Sequence, residues 1–196
     1  MVIQIDTKEK ARAIKKILKT FDDFLENGII YFSHSLPIGD YANWHNRKVI
    51  IDRKQNLGEL AGNICSDDHG RFKKELLRAR EWGTHMIILI EDDRIETFED
   101  VKKWSSPHTK VKGETLYKAM KTMETEILTE KVVLGQNEKG KDIIEEVPVL
   151  DKDGNPVLKY DVEFRFCKKC ETGEQIIKIL MEEAAWCIII KQKKIF

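Results

Sequence analysis

The stretch "THMIILIED", residues 84–92, limits what this chain can fold into more than any other. Its five central residues, Met86 to Ile90, are all apolar, with no polar position left over for water. A strand covered on one face alternates apolar with polar residues, whereas one covered on both faces reads as an unbroken run. The segment is therefore expected inside a sheet with helices on both sides.

The surrounding sequence supplies those layers. "VIQI" (2–5) reads as a first strand. Asp6 and Glu9 then stand at capping-box spacing before Ile14, Ile17, Leu18, Phe21, Phe24 and Leu25, which predicts a helix closed by Asn27-Gly28. "IIYFSHS" (29–35) is a strand, and "YANW" and "KVIIDRK" flank the polar tip "HNR" as a hairpin. Helices are predicted over Leu57–Ile64, Arg71–Trp82 and from about Thr97 and Glu114. Residues 127–158 change character, with two hairpin-like excursions turning near "NEKGK" and "DKDGNP". "YDVEFRF" (160–166) returns to strand, followed by a helix opened by Thr172 with Gln175 as its capping partner. Strands alternating with helices, plus one early hairpin, make an α/β sandwich with a mixed sheet. The 196 residues suit a single domain, 1–196, with a β-rich insertion at 127–158.

Charge narrows the function classes. Lys plus Arg and Asp plus Glu are 34 each, so no net field draws the whole molecule to a polyanion. The segregation is local: 8–16, 71–80 and 102–112 are basic, while 91–100 is acidic. No apolar run reaches membrane-spanning length, the longest being "AAWCIII" at 184–190, and the N-terminus turns charged too early for a signal segment. An intracellular, cytoplasmic protein with reduced thiols at Cys65, Cys167, Cys170 and Cys187 is expected.

The candidate chemistry lies at the end of "VIIDRK" (49–54). Alternation along a strand turns Asp52 and Lys54 to one side and Arg53 to the other. Asp40, on the opposite arm of the hairpin, can come close to both. Two carboxylates make a hard oxygen site for Mg²⁺ or Mn²⁺ that leaves positions for water and phosphate, and a nearby ammonium can offset charge on that phosphate. Acid-x-Lys triplets also occur at 6–8 and 100–102, but only 52–54 has both an apolar strand before it and an Asp at hairpin distance. Geometry alone leaves two readings standing, a metal site and an ordinary surface ion pair.

The motif order resembles one known family. "GDY" followed by "VIIDRK" is similar to the nuclease signature of the XPF and Hef structure-selective endonucleases, a branch of the PD-(D/E)XK superfamily. "IDTKEK" (5–10), "ELAGNI" (59–64), "HGRF" (69–72) with Glu75 beyond it, "MIILIE" (86–91) and "TGEQIIKIL" (172–180) resemble further family segments in the same order. The likeness covers about 2–92 and 160–182. It implies a restriction-endonuclease-like three-layer sandwich, a central mixed sheet flanked by helices with a β-hairpin insertion. It also implies a metal-dependent DNA endonuclease acting on branched DNA in repair or recombination, of a stand-alone phage or mobile-element kind. Asp40 and Asp52 would hold Mg²⁺ or Mn²⁺, Lys54 would be the catalytic lysine, and Asp6 and Glu9 would be further catalytic acids. Arg53, Arg71, Lys73, Lys74 and Lys8 would serve DNA binding, Arg53 and Arg71 either in phosphate contact or as local scaffolding. DNA would be the partner, with a homodimer or a heterodimer with another nuclease-fold or DNA-targeting subunit, and no membrane. Two departures stand out: Asp52 replaces the family's Glu, and Lys8 replaces an Arg, losing its bidentate fork.

Other signals compete. "CKKC" (167–170) has redox-dithiol or half-zinc spacing, but no second pair completes a zinc set. "DKDGNP" (151–156) imitates a calcium loop without its terminal Glu. His45 at the hairpin tip and Trp44 and Trp82 are candidate nucleic-acid contacts, against exposed-turn and packing roles. The alternatives to a nuclease are a DNA-binding module of the same fold that cuts nothing, and a thiol protein centred on Cys167 and Cys170.

Overall fold

The computed structural model describes residues 1–66 and 69–193, with side chains described through residue 182. "AAWCIII" and Cys187 fall outside those side chains.

A six-stranded mixed sheet forms the middle layer, in the order β2-β1-β3-β4-β5-β8. Strand β1 (Val2–Ile5) runs parallel to β2 (Ile30–Ser33) and antiparallel to β3 (Tyr41–Asn43). β3 turns back into β4 (Asn46–Lys54), and the register shifts between Ala42 and Asn43. β5 (His85–Glu91) and β8 (Val162–Cys167) then add in parallel. The unbroken apolar run of β5 lies between two partners, and Met86 to Ile90 are buried as its composition requires.

Two cores sit on the two faces of the sheet. On one side Ile50, Ile88, Ile90 and Phe164 pack beneath α2 (Leu57–Cys65), α3 (His69–Glu81) and α4 (Gly113–Thr125). On the other, Ile3, Ile51, Ile87 and Leu89 pack beneath α1 (Lys15–Asp23) and α5 (Thr172–Lys193). The strand alternation that separates Ile50 from Ile51 therefore sorts neighbours in sequence into different cores. The result is the expected three-layer sandwich.

Several local expectations change. The helix predicted from Asp6 starts only at Lys15, and residues 7–14 run in turns without helix. The Asp6 carboxylate makes an early turn by accepting the Lys8 N–H at 2.7 Å, and its other oxygen is taken by Leu36 N–H at 2.6 Å, so it does not cap a helix. The helix predicted from Thr97 is a 3₁₀ segment, Phe98–Lys103, with the Thr97 N–H and hydroxyl both donating to Asp100. Thr172 does open α5, but its hydroxyl donates to Glu91 at 2.8 Å.

Of the two excursions in 127–158, the first is a ribbon of β6 (Thr129–Gln136) and β7 (Asp142–Pro148), a separate two-stranded sheet. The second reduces to isolated bridges, Ile127 to Leu158 and Leu150 to Pro156. The ribbon leaves Val133, Leu134 and Ile144 exposed. Over 127–158 seven acids face four lysines. No described helix is long and apolar enough to cross a membrane.

Candidate active site

The site grows from the turn before β3. Gly39 adopts φ +62°, a region that disfavours side chains, and an added Cβ would lie 2.3 Å from Ile50 Cγ2 and 3.0 Å from the Ile51 carbonyl oxygen. Only glycine lets the chain pass this close over β4. Three bonds fix the next residue: Asp40 N–H donates to Ile51 O at 2.8 Å, the Asp40 carboxylate accepts Arg53 N–H at 2.8 Å, and Asp6 N–H donates to Asp40 O at 2.8 Å. From α3, Glu75 accepts the Gly39 N–H at 3.1 Å.

Asp40 is thereby laid along β4 beside Asp52. Burial pushes the Asp40 carboxyl well above the usual carboxylate range, and the charges of Asp52 and Glu9 add to that rise. Lys54 Nζ lies 2.9 Å from Asp52 Oδ1 and 2.8 Å from Oδ2, with Phe72 of α3 under the ammonium at 5.5 Å. Burial alone would lower the Lys54 ammonium, but the charge and hydrogen bond of Asp52, then Asp40, hold it above its ordinary value. The structure brings Asp40, Asp52 and Lys54 to one place, as the hairpin geometry predicts.

Arg53 faces the other way into a buried network. Its Nε is 2.7 Å from Glu91 Oε1, its Nη2 3.3 Å from Oε2, and its Nη1 3.1 Å from Glu9 Oε2. Tyr41 donates to the same Glu9 oxygen at 2.9 Å, and burial together with Glu9 pushes the phenol upward. With Thr172 on Glu91, the network ties β3, β4, the end of β5, the start of α5 and the loop after β1. The Arg53 side chain is 3% exposed. Of its two expected uses, scaffolding replaces phosphate contact, because both forks of the guanidinium are already on carboxylates out of solvent.

Asp6 also departs from its expected role. It is fully buried, and each of its carboxylate oxygens accepts a backbone N–H group, so it clamps the Leu36–Asp40 turn. Glu9 stays at the edge of the site, partly exposed. Arg71 and Lys74 are exposed and Lys73 half-buried on the first turns of α3, which also carry Phe72 and Glu75 to the site. Lys8 is exposed on the loop after β1. Glu91, Thr172, Tyr41 and Glu75 were not predicted to have site roles. A charged residue ending the apolar run of β5 is the one local sign that Glu91 has a buried partner.

Among the described residues no three His, Cys, Asp or Glu side chains gather into a metal cage. The donor set still fits a divalent cation. Asp40 gives one oxygen to Arg53 N–H and retains the other, while crowded buried acids with one ammonium between them are relieved by added positive charge. Cys167 is unlike a reactive thiol: it is buried, and burial pushes it up to about 11. Cys170 is exposed and the two form no disulfide.

The sequence profile of the ERCC4 domain matches residues 5–131, well over half of the chain. The chain belongs to the ERCC4 domain family. The ERCC4 match spans the Gly39–Asp40 turn, the β4 triplet and β5, the parts that build the site. No curated protein matches the chain significantly. Among solved structures, "XPF from Aeropyrum pernix" superposes with a TM-score of 0.56 at 15% identity, over 93% of this chain and 61% of that one. The same protein in complex with DNA gives 0.52 at 14% identity, over 93% and 66%. These likenesses show that the fold is that of the XPF nuclease, and the chain spans about three fifths to two thirds of the length of those structures.

Proposed function

We propose that the chain is a divalent-metal-dependent DNA endonuclease that hydrolyses phosphodiester bonds in branched or structured DNA. The observation that supports it best is the convergence of Asp40, Asp52 and Lys54 at the end of β4 in an ERCC4-family fold. Asp40 and Asp52 would hold Mg²⁺ or Mn²⁺, which when bound supplies Lewis-acid chemistry at the scissile phosphate and a more acidic water. Lys54 offsets the charge that grows on the phosphoryl oxygens, and the double contact with Asp52 fixes its ammonium for that task. The Arg53 network holds the β4 backbone beneath the triplet, so the reacting groups need little reorganisation. Arg71, Lys73, Lys74 and Lys8 would take the flanking phosphates, which makes binding fall steeply with salt. The cellular setting is repair or recombination, with DNA as partner and assembly as a homodimer or with another nuclease-fold or DNA-targeting subunit.

The test is a nicking assay on linear and branched duplexes with Mg²⁺ or Mn²⁺, comparing wild type with Asp52→Asn and Lys54→Met. Metal-dependent cutting that both variants lose supports the reading. DNA binding without cutting by wild type in either metal identifies a non-catalytic module, and cutting that survives Asp52→Asn places the chemistry elsewhere.

A further inference from the structure

The delayed start of α1 has a structural result. Residues 7–14 run in turns, with Glu9 N–H on Asp6 O at 3.0 Å and Ala13 N–H on Lys10 O at 2.7 Å, and a cavity of about 300 Å³ opens between this loop and the β1–β2 edge. Its apolar lining comes from Ile5, Ile14, Leu18 and Tyr31, and its rim from Glu9 and Lys10. Tyr31 is not free to swing in and close it. The phenol donates to Asp22 at 2.8 Å and the ring packs on Phe21 at 5.6 Å.

The cavity carries two further marks. Glu9 lines it and also bonds Arg53 and Tyr41 under the Asp40–Asp52 pair, so cavity and candidate active site share a wall. The loop that roofs it exposes Lys8, Lys10 and Arg12. An apolar slot flanked by cations suits an aromatic group attached to phosphates. Its size is at the lower end of ligand pockets, roughly 300–1,000 Å³, which favours a single heterocycle.

We propose that this cavity receives one unstacked nucleobase of the DNA strand held at Asp40 and Asp52, with the flanking phosphates on Lys8, Lys10 and Arg12. The proposal rests on the nuclease reading and adds a source of substrate choice to it. Drawing a base out of intact duplex costs a few kcal/mol, and a base that is already unpaired escapes most of that cost. A site that must seat an unstacked base therefore favours forks, flaps and frayed ends over continuous duplex.

The test uses the full chain in EDTA, where no strand is cut, and two DNA probes of one sequence. One is a fork with 2-aminopurine as the first unpaired base, and the other is a continuous duplex with the same base paired. Wild type should bind the fork on the order of ten-fold tighter, about 1.4 kcal/mol, and change its 2-aminopurine fluorescence. Ala11→Phe fills the cavity from its exposed rim, and Leu18→Phe fills it from the floor. Each should remove the fork preference and the fluorescence change while duplex affinity and the circular dichroism spectrum stay at wild-type values. A fork preference that survives both variants, or no preference in wild type, overturns the proposal. So does loss of a dimer in light scattering upon Ala11→Phe with DNA binding unchanged, which would assign the cavity to a second copy. Cutting is scored separately. If the preference responds to filling but Mg²⁺ or Mn²⁺ never elicits Asp52-dependent cutting, the pocket stands and the nuclease reading fails. If cutting depends on Asp52 and filling changes nothing, the reverse holds.

Discussion

Replacing Glu91 by Gln tests how β4 is held beneath the triplet. Gln keeps the shape but turns an amide NH₂ toward donors, Arg53 Nη2 in one orientation and both Arg53 Nε and the Thr172 hydroxyl in the other. The Arg53 and Glu91 side chains are 3% and 2% exposed, so water cannot replace the lost charge. Removing one partner of a buried pair costs about 3–5 kcal/mol. Glu9 remains on Nη1 at 3.1 Å, which places this case at the low end. A loss of about 3 kcal/mol in a chain of this length corresponds to a Tm fall of roughly 6–12 °C. Equilibrium urea unfolding should show the midpoint fall with the m-value unchanged. The Arg53→Gln, Glu91→Gln double variant should lose at least about 1 kcal/mol less than the sum of the single losses, because the two act on one contact. A single-variant loss below about 1 kcal/mol, the range of exposed pairs, would refute the claim that this network braces the site.

Gly39→Ala should cost about 2–5 kcal/mol from left-handed backbone strain and overpacking against Ile50, and should lower cutting further by displacing Asp40; denaturation and nicking measured together check both. His85→Gln should destabilise in a pH-dependent way. Burial would lower His85, but its hydrogen bonds and charge contacts with Asp161 and Glu163 carry it above the usual 6.5, so its stabilisation is full below that value and fades as pH rises through the folded-state value. Melting curves of both proteins from pH 5 to 9 should converge at the alkaline end, and a gap that widens there would contradict the assignment. Replacing 129–148 by a short Gly-Ser turn should leave DNA affinity within about two-fold, since a ribbon with an acidic excess adds no counterion release; a ten-fold loss in fluorescence anisotropy titrations would give the ribbon a direct role in DNA binding.

The legible parts of the fold and site were those set by short-range pattern. The continuous run of β5 specified a sheet covered on both faces, and the alternation through "VIIDRK" put Asp52 with Lys54 and Arg53 opposite them, as the structure has it. The start of α1 was misread because Asp6 and Glu9 carry the local spacing of a cap while their partners are tertiary: Leu36 for one, Arg53 and Tyr41 for the other. For Arg53, phosphate contact and local scaffolding both stayed open for a similar reason. Alternation states which side a residue faces, but not that Glu91 and Glu9 wait there to neutralise it. The second excursion in 127–158 does turn at "DKDGNP", with Gly154 N–H on Asp151 O at 3.1 Å and an antiparallel bridge from Leu150 to Pro156, but its flanks are too short to make a ladder.

The reach of the Arg53 network bears on when the protein becomes competent. The Gly39–Asp40 turn and β4 are sequence neighbours, so their pairing requires little more than one hairpin. Glu91 accepts a further bond from Thr172, a residue 81 positions later in the chain. A nascent chain still lacking α5 would thus hold its acidic pair and lysine while the braces beneath them were unfinished. Synthesis order then acts as a safeguard: the full geometry forms only after the start of α5 has left the ribosome.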